Sequence, residues 1–179
     1  MEEYNNRKIG SKLTSALFII YLIALFWIIV FKFNIHLPSL RNMRSINLIP
    51  FSEPLILNGR LAFGEMIMNV VIFIPLGVYA GILFKRWSIW RRIILFFLIS
   101  LVCEVSQYIL NIGASDITDI INNTLGGIIG LIIYKIIEKL LKNGAKVEKV
   151  INIIASIGTI LMILFLSLLK INNIWLFRH

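Results

Sequence analysis

Residues 115–130, SDITDIINNTLGGIIG, decide how the rest of this chain is interpreted. The stretch begins with two carboxylates, Asp116 and Asp119, continues with the side-chain amides of Asn122 and Asn123, and then becomes apolar and rich in glycine. In a soluble protein this pattern would indicate the start of a surface helix. Here the apolar run continues to Tyr134, so the polar residues lead into a segment long enough to cross a bilayer.

The composition of the whole chain is that of a membrane protein. Apolar residues make up 59% and charged residues 15%, and the mean hydropathy is +0.89, whereas soluble domains have roughly 45–50% apolar and about 25% charged residues. Five runs approach the roughly 20 residues that a helix needs to span the bilayer. Because backbone groups in lipid must be paired within the segment, we predict an all-α, polytopic helical bundle forming a single membrane domain over residues 1–179. The predicted spans are 13–31, 66–84, 93–112, 117–134 and 151–169.

The basic residues behind the net charge of +9 are distributed in a way that indicates the membrane topology and not a nucleic-acid site. Most of the 18 Lys and Arg residues precede the first span, separate the second from the third, or follow the fourth. The positive-inside rule then predicts a multi-pass membrane protein with its N-terminus in the cytoplasm and its C-terminus outside. The expected partner is the lipid bilayer and not nucleic acid. A single cysteine and two histidines exclude a disulfide framework within the chain and disfavour a zinc site of the His/Cys type.

The second and third spans carry polar side chains that are unusual at membrane depth. Ser100, Glu104, Gln107 and Asn111 follow one another at offsets of four, three and four, which places them on one face of a helix. In the second span, Asn69 lies one turn beyond Glu65. A charged side chain at a helix centre costs about 2.5–3.5 kcal/mol on insertion scales, so this face must contact protein or water.

The fourth span repeats this pattern at its start. Asp116, Asp119 and Asn123 share a face, with Asn122 on the flank, and Ser115 or Asp116 is the expected N-cap. Farther along, Gly126 and Gly130 form a GxxxG pair, and Gly77 and Gly81 form a second pair in the second span. Such pairs predict that each helix packs closely against a neighbour.

Combined with the predicted topology, every one of these polar residues lies in the outer half of the membrane. The long outer loop, 32–64, contains three prolines and is rather apolar, so we expect either a packed interfacial loop or a lid over an outward-facing cavity. The convergence predicts a polar pocket that opens outward. The alternative is a network of interhelical hydrogen bonds that only fixes helix packing.

Four ordered blocks of sequence resemble the VanZ family. They are NLIPF at 47–51, NVVIFIPLG at 69–77, EVSQ at 104–107 and DITDIINNTLGG at 116–127, within a resemblance that covers 47–134. The resemblance implies a multi-pass protein of the bacterial cell envelope that is associated with resistance to the glycopeptide teicoplanin. Relatives often carry an arginine shortly before the first aspartate of the last block, where this chain has Gly-Ala-Ser at 113–115. Arg41, Arg44 or Arg60 of the outer loop could take its place.

These observations leave three functional hypotheses open. The first is a pocket that binds the polar head group of a lipid-linked or wall-linked envelope component and alters the access of glycopeptides. The second is an intramembrane enzyme acting on an envelope lipid, in which Glu104 and Asp119 act as the catalytic acid and base. No cofactor is required, although oxygen ligands could hold a divalent cation such as Mg²⁺, Mn²⁺ or Ca²⁺. The third is a small transporter or flippase. No oligomeric state is predicted. The candidate binding residues are Asn47, Pro50, Phe51, Asn69, Gln107, Asp116 and Asn123.

Overall fold

A computed structural model describes the backbone of residues 2–31, 46–51, 56–57, 60–61, 63–110 and 115–171. Within these residues the chain forms a bundle of long helices connected at alternating ends, which confirms the predicted all-α architecture. Two turns, 84–88 and 142–143, lie at one end of the bundle, and the start of the fourth helix lies at the other. The helices are α1 (Glu2–Phe31), α2 (Phe63–Leu83), α3 (Ile89–Leu110), α4 (Ile117–Leu141) and α5 (Gly144–Ile171).

Four of these helices are long and apolar enough to cross a membrane. The spanning segments are Lys12–Val30, Met66–Leu83, Ile89–Leu110 and Ile117–Leu141. The fifth helix, α5, contains the predicted span 151–169, and its side chains are described as far as Ile160.

The third helix shows why the surrounding medium must be lipid. Beyond the exposed Arg91 in its first turn, its exposed side chains are apolar and include Ile94, Phe97, Leu98, Val102, Val105 and Ile109. Its buried face instead carries Ser100, Glu104 and Gln107 beside Phe96 and Cys103. This arrangement inverts that of a soluble protein, in which polar residues lie outside, and it is the arrangement expected of a helix that faces hydrocarbon.

The closest helix contact joins α2 to α4 along the two glycine pairs. A Cβ atom added to Gly130 would collide with the carbonyl oxygen of Ile74 and lie 2.9 Å from the Cα of Gly77. One added to Gly77 would collide with the carbonyl oxygen of Gly127, and one added to Gly126 with that of Val70. The predicted close packing is therefore confirmed: Gly77 lies against Gly127 and Gly130, and Gly81 accommodates the ring of Tyr134.

Apolar side chains from α1 to α4 fill the rest of the bundle. The main core consists of Leu25, Ile29, Val30, Phe73, Leu76, Ala80, Phe96, Cys103 and Leu131. Cys103 is a packing residue in this core, as expected of the lone cysteine. Within α2, Pro75 has no N–H to donate to the preceding turn. In that turn, the carbonyl of Ile72 accepts a hydrogen bond from the Tyr21 hydroxyl of α1 at 2.8 Å.

The basic segment 135–150, which lies between the predicted spans 117–134 and 151–169, is almost entirely helical. The fourth helix continues to Leu141 and α5 begins at Gly144, so only Lys142 and Asn143 connect them. Lys142 adopts a left-handed conformation with φ 50°, and its N–H donates to the carbonyl of Glu138 at 3.0 Å. The segment is rich in Lys, Glu, Ile and Leu, and the favourable helix propensity of Lys, Glu and Leu extends the helix beyond the apolar run.

Short strands attach the described parts of the predicted outer loop to the bundle. Strand β1 (Ile46–Asn47) pairs in parallel with β4 (Ser115–Asp116), immediately before α4. Strands β2 (Ile56–Leu57) and β3 (Arg60–Leu61) form an antiparallel pair. Two-residue strands have no measurable periodicity, so the sequence did not predict them. The first pairing places residues 46–51 beside the N-terminus of α4.

Arg92 stabilises the turn between α2 and α3. Its guanidinium donates from Nε and Nη2 to the carbonyl of Phe84 at 3.1 and 2.8 Å, and from Nη2 to that of Lys85 at 3.0 Å. These carbonyls follow the last turn of α2, where backbone acceptors lack helical partners. The planar fork of one guanidinium thus replaces bonds that a longer helix would supply.

We expect Arg92→Lys to lower the free energy of unfolding by about 1.5–3 kcal/mol, because an ammonium group cannot reproduce the forked contact. The measurement is the midpoint of thermal unfolding of the detergent-solubilised protein. The neighbouring, exposed Arg91 provides the control, and Arg91→Lys should leave the midpoint unchanged. Equal midpoints for the two variants would contradict a structural role for the fork.

Candidate functional site

Most of the buried polar side chains of the bundle lie together at the end where α4 begins. This group, called the polar cluster below, draws on three helices and includes two carboxylates, Glu104 at 1% exposure and Asp119 at 7%. Its members are Asn69 of α2, Ser100, Glu104 and Gln107 of α3, and Thr118, Asp119, Asn122 and Asn123 of α4. The helical spacing of the sequence therefore identified the buried faces of α2 and α3 correctly.

Asp119 is bound to the second helix. Its Oδ1 accepts a hydrogen bond of 2.7 Å from Nδ2 of Asn69, and both side chains are buried. The partners come from the two helices whose glycine pairs bring their backbones together, so the short distance follows from the packing of α2 on α4. A charge-assisted bond of this length is among the stronger kinds in proteins.

Side-chain amides connect the third helix to α4 and α1. Asn123 donates from Nδ2 to Oγ of Ser100 at 2.9 Å, and Gln107 donates from Nε2 to the carbonyl of Ile29 at 2.8 Å. The second bond reaches the last turn of α1, where carbonyls have no helical donor. Both predicted residues thus lie in the cluster, each with its amide nitrogen bonded to a neighbouring helix.

Glu104 contacts the beginning of α4 directly. Its Oε2 accepts a hydrogen bond of 3.0 Å from the backbone N–H of Asp116. Asp116 itself is the N-cap, as expected, since its Oδ1 accepts from the N–H of Thr118 at 2.7 Å. The positive end of the helix dipole therefore lies next to both carboxylates, and it favours their negative charge.

The segment 46–51 covers this helix start. Asn47 donates from Nδ2 to Oδ2 of Asp116 at 3.2 Å, and its own Oδ1 accepts from the N–H of Ile49 at 3.2 Å. The N–H of Phe51 donates to Oγ1 of Thr118 at 3.0 Å. Phe51 thus contacts the site through its backbone while its ring is exposed, and Pro50 is exposed as well.

The sequence analysis did not include two members of the cluster among its candidate residues. For several other residues that it named, the structure does not describe the side chain. Asn122, which was expected on the flank of the polar face and was not among the candidate binding residues, is buried beside Asn123. Thr118 was not singled out, although it lies four residues before Asn122 and could have been found from that spacing. The side chains of Glu65, Asn111, Arg41, Arg44 and Arg60 lie outside the described residues.

Four buried polar atoms have no hydrogen-bond partner among the residues that the structure describes. They are Oε1 of Gln107, Nδ2 of Asn122, Oδ1 of Asn123 and Oγ1 of Thr124. Leaving a buried donor or acceptor unsatisfied costs about 1–3 kcal/mol. Beside the two carboxylates there are thus two amide oxygens that can still accept a hydrogen bond, one amide nitrogen that can still donate one, and a hydroxyl group that can do both.

The described residues contain no group of three His, Cys, Asp or Glu side chains placed to hold a metal ion. Glu104, Asp116 and Asp119 therefore do not form a carboxylate cage for a divalent cation. Each of these carboxyl groups instead accepts a hydrogen bond from an amide N–H of the protein.

Comparisons with known proteins agree with this architecture and these motifs. The family model VanZ/LLP1 matches residues 18–138, which include α2, α3 and almost all of α4. A similar protein is Protein VanZ of Enterococcus faecium, which is 36% identical over 167 residues, covering 92% of this chain and 99% of that protein. No solved structure matches the chain. The extent of both matches, which contain the whole polar cluster, establishes that this membrane protein belongs to the VanZ family.

Proposed function

We propose that the polar cluster is a pocket that binds the head group of a lipid-linked or wall-linked envelope component, and that this binding contributes to glycopeptide resistance of the teicoplanin type. The observation that carries the proposal is the set of buried polar atoms without partners beside Glu104 and Asp119. A head group rich in hydroxyl or N–H donors, such as a sugar or an amide, matches the carboxylate and amide oxygens offered there.

Helix packing alone is a weak reason for this cluster. Interhelical polar contacts in a membrane average only about 0.6 kcal/mol, whereas each buried charge costs several times that amount on insertion scales. A cluster that served only as structural glue would be expected to pair all its buried atoms. Gln107 and Asn123 each donate a hydrogen bond from the amide nitrogen, while the amide oxygen accepts none. Unused acceptors of this kind are expected at a site where a ligand supplies the missing donors.

The charge distribution supports a pocket that faces away from the cytoplasm. Exposed basic residues concentrate at the opposite end of the bundle, around the α2–α3 turn and the α4–α5 turn, and include Lys85, Arg86, Arg91, Lys142 and Lys146. The positive-inside rule assigns that end to the cytoplasm. We therefore propose a bacterial cytoplasmic-membrane protein whose polar cluster faces the envelope side.

The test is the teicoplanin susceptibility of a sensitive bacterium that expresses the chain. The wild-type chain should raise the minimal inhibitory concentration, and Glu104→Gln should return it to the value of the empty vector. Glutamine keeps the size of the side chain and an oxygen that can accept from Asp116, so the change removes the charge and turns the second oxygen into an NH2 donor. Membrane abundance of the variant should equal that of the wild type.

Glu138→Gln is the matched control, because Glu138 lies at the opposite end of α4 and is exposed. It accepts a hydrogen bond from the Tyr134 hydroxyl at 2.7 Å, which glutamine can also accept. This variant should keep full resistance. Full resistance of Glu104→Gln at normal abundance would refute the proposed role of the cluster.

A further inference from the structure

The segment 46–51 has two chemically different faces. One face binds the start of α4 through Asn47 and the N–H of Phe51. The other face is apolar and turned outward, with Leu48 70%, Ile49 68% and Phe51 58% exposed. No residue of the segment carries a charge. We call the side chains of Leu48, Ile49 and Phe51 the apolar crest.

The crest is held in place by the bonds beneath it. Strand β1 pairs with β4, and the Asn47 side chain bonds both Asp116 and the N–H of Ile49. Phe51 has a left-handed conformation with φ 57°, which is unfavourable for a residue other than glycine. The turn therefore holds three large apolar side chains outward, and such side chains are stable only in apolar surroundings.

The position of the crest identifies that medium as the bilayer. The β1–β4 pairing places the crest at the end of the bundle where α3 ends and α4 begins. The last turn of α3 presents Ile109 and Leu110 outward, at 66% and 52% exposure, as part of its lipid-facing surface. If water surrounded the protein at this level, the side chains of the crest and of the last turn of α3 would form one exposed apolar patch, which is unfavourable.

We propose that the apolar crest inserts into the bilayer and that residues 46–51 form a lipid-anchored cover over the polar cluster. Interfacial segments with one polar and one apolar face bind bilayers in this way. This inference rests on the proposed function and extends it, because a ligand that displaces a cover seated in lipid enters the cluster from the bilayer. The ligand then reaches it as a lipid-linked head group diffusing in the membrane, rather than as a polymer or a free sugar arriving from water.

Depth measurement by electron paramagnetic resonance tests the insertion. Cys103 is the only cysteine, so Cys103→Ala provides a background for a single spin label at Leu48→Cys in lipid nanodiscs. The readout is the collision rate of the label with oxygen, which concentrates in lipid, relative to a water-soluble nickel chelate. Val102→Cys, exposed on α3, marks hydrocarbon, and Asn143→Cys, exposed between α4 and α5, marks water.

The label at Leu48 should favour oxygen, as the label at Val102 does. A label that behaves like the one at Asn143 would overturn the insertion. Low collision rates with both reagents would also overturn it, because they would show the crest covered by protein. Should Cys103→Ala fail to give monodisperse protein, Cys103→Ser serves as background, and Ile49→Cys repeats the measurement at a second position.

A binding experiment separates this inference from the proposed function. Wild-type protein in nanodiscs is mixed with a polyprenyl-linked disaccharide and, separately, with the same disaccharide without its lipid. We expect binding of the lipid-linked form and at least a tenfold loss, about 1.4 kcal/mol, for the free sugar. Equal binding of both would overturn lateral entry while supporting the head-group site, and binding of neither would contradict the head-group site itself, whatever the depth of Leu48.

Discussion

Gly130→Ala is expected to prevent the bundle from assembling, although alanine is the better helix former. Helix propensity alone would favour the change by about 0.8–1.0 kcal/mol. The added methyl group, however, would collide with the carbonyl oxygen of Ile74 and lie 2.9 Å from the Cα of Gly77. Both obstacles are backbone atoms, which cannot rotate away. We therefore expect a loss of more than about 3 kcal/mol, beyond the usual cost of overpacking a core that can adjust.

The measurements are the amount of protein in the membrane fraction and the thermal midpoint after solubilisation. Gly158→Ala is the matched control, because Gly158 lies within α5 with no described atom within 4 Å of its added Cβ. That variant should be at least as stable as the wild type. Normal abundance and stability of Gly130→Ala would show that α2 and α4 pack less closely than described.

Asp119→Asn should abolish resistance while leaving the fold intact. Asparagine can still accept the hydrogen bond from Asn69, so the contact between α2 and α4 is kept and only the negative charge is lost. The expected results are an inhibitory concentration of teicoplanin equal to that of the empty vector, with unchanged membrane abundance and thermal midpoint. Removing a buried charge also removes its desolvation cost, which argues against a loss of stability.

The double variant Asn69→Asp with Asp119→Asn separates a binding site from a structural network. It keeps one carboxylate and one amide in contact but moves the charge from α4 to α2, away from the N-terminal end of α4. If the pair only holds the helices together, the double variant should regain the resistance that the single variant loses. We expect it to remain susceptible, because the ligand requires the carboxylate at position 119. Regained resistance would assign the pair to packing.

The parts of this structure that sequence predicted well are those that local spacing determines. Glu104 and Gln107 share the buried face of α3 because helical offsets of three and four bring side chains together. Gly126 and Gly130 predicted a close helix contact for the same reason. These inferences required no knowledge of the partner helix. They required only that a polar face, or a face lined by glycine, pack against another part of the protein.

Contacts between segments that lie far apart in the chain could not be predicted from the sequence. The bond from Asn47 to Asp116 joins residues 69 positions apart, and the β1–β4 pairing involves only two residues in each strand. The basic extension of α4 was missed because an apolar run marks membrane depth and not the end of a helix.

The glycine contact between α2 and α4 also determines which parts of the protein can move. Gly77 lies in direct backbone contact with Gly127 and Gly130, so the two helices cannot slide or rotate against each other there without colliding. Asn69 and Asp119 therefore belong to one rigid frame. A ligand that enters the cluster must displace α3 or residues 46–51, which are attached to that frame by hydrogen bonds that can be exchanged one at a time. In the proposed function, residues 46–51 are thus a part that moves, while the pair formed by α2 and α4 stays fixed.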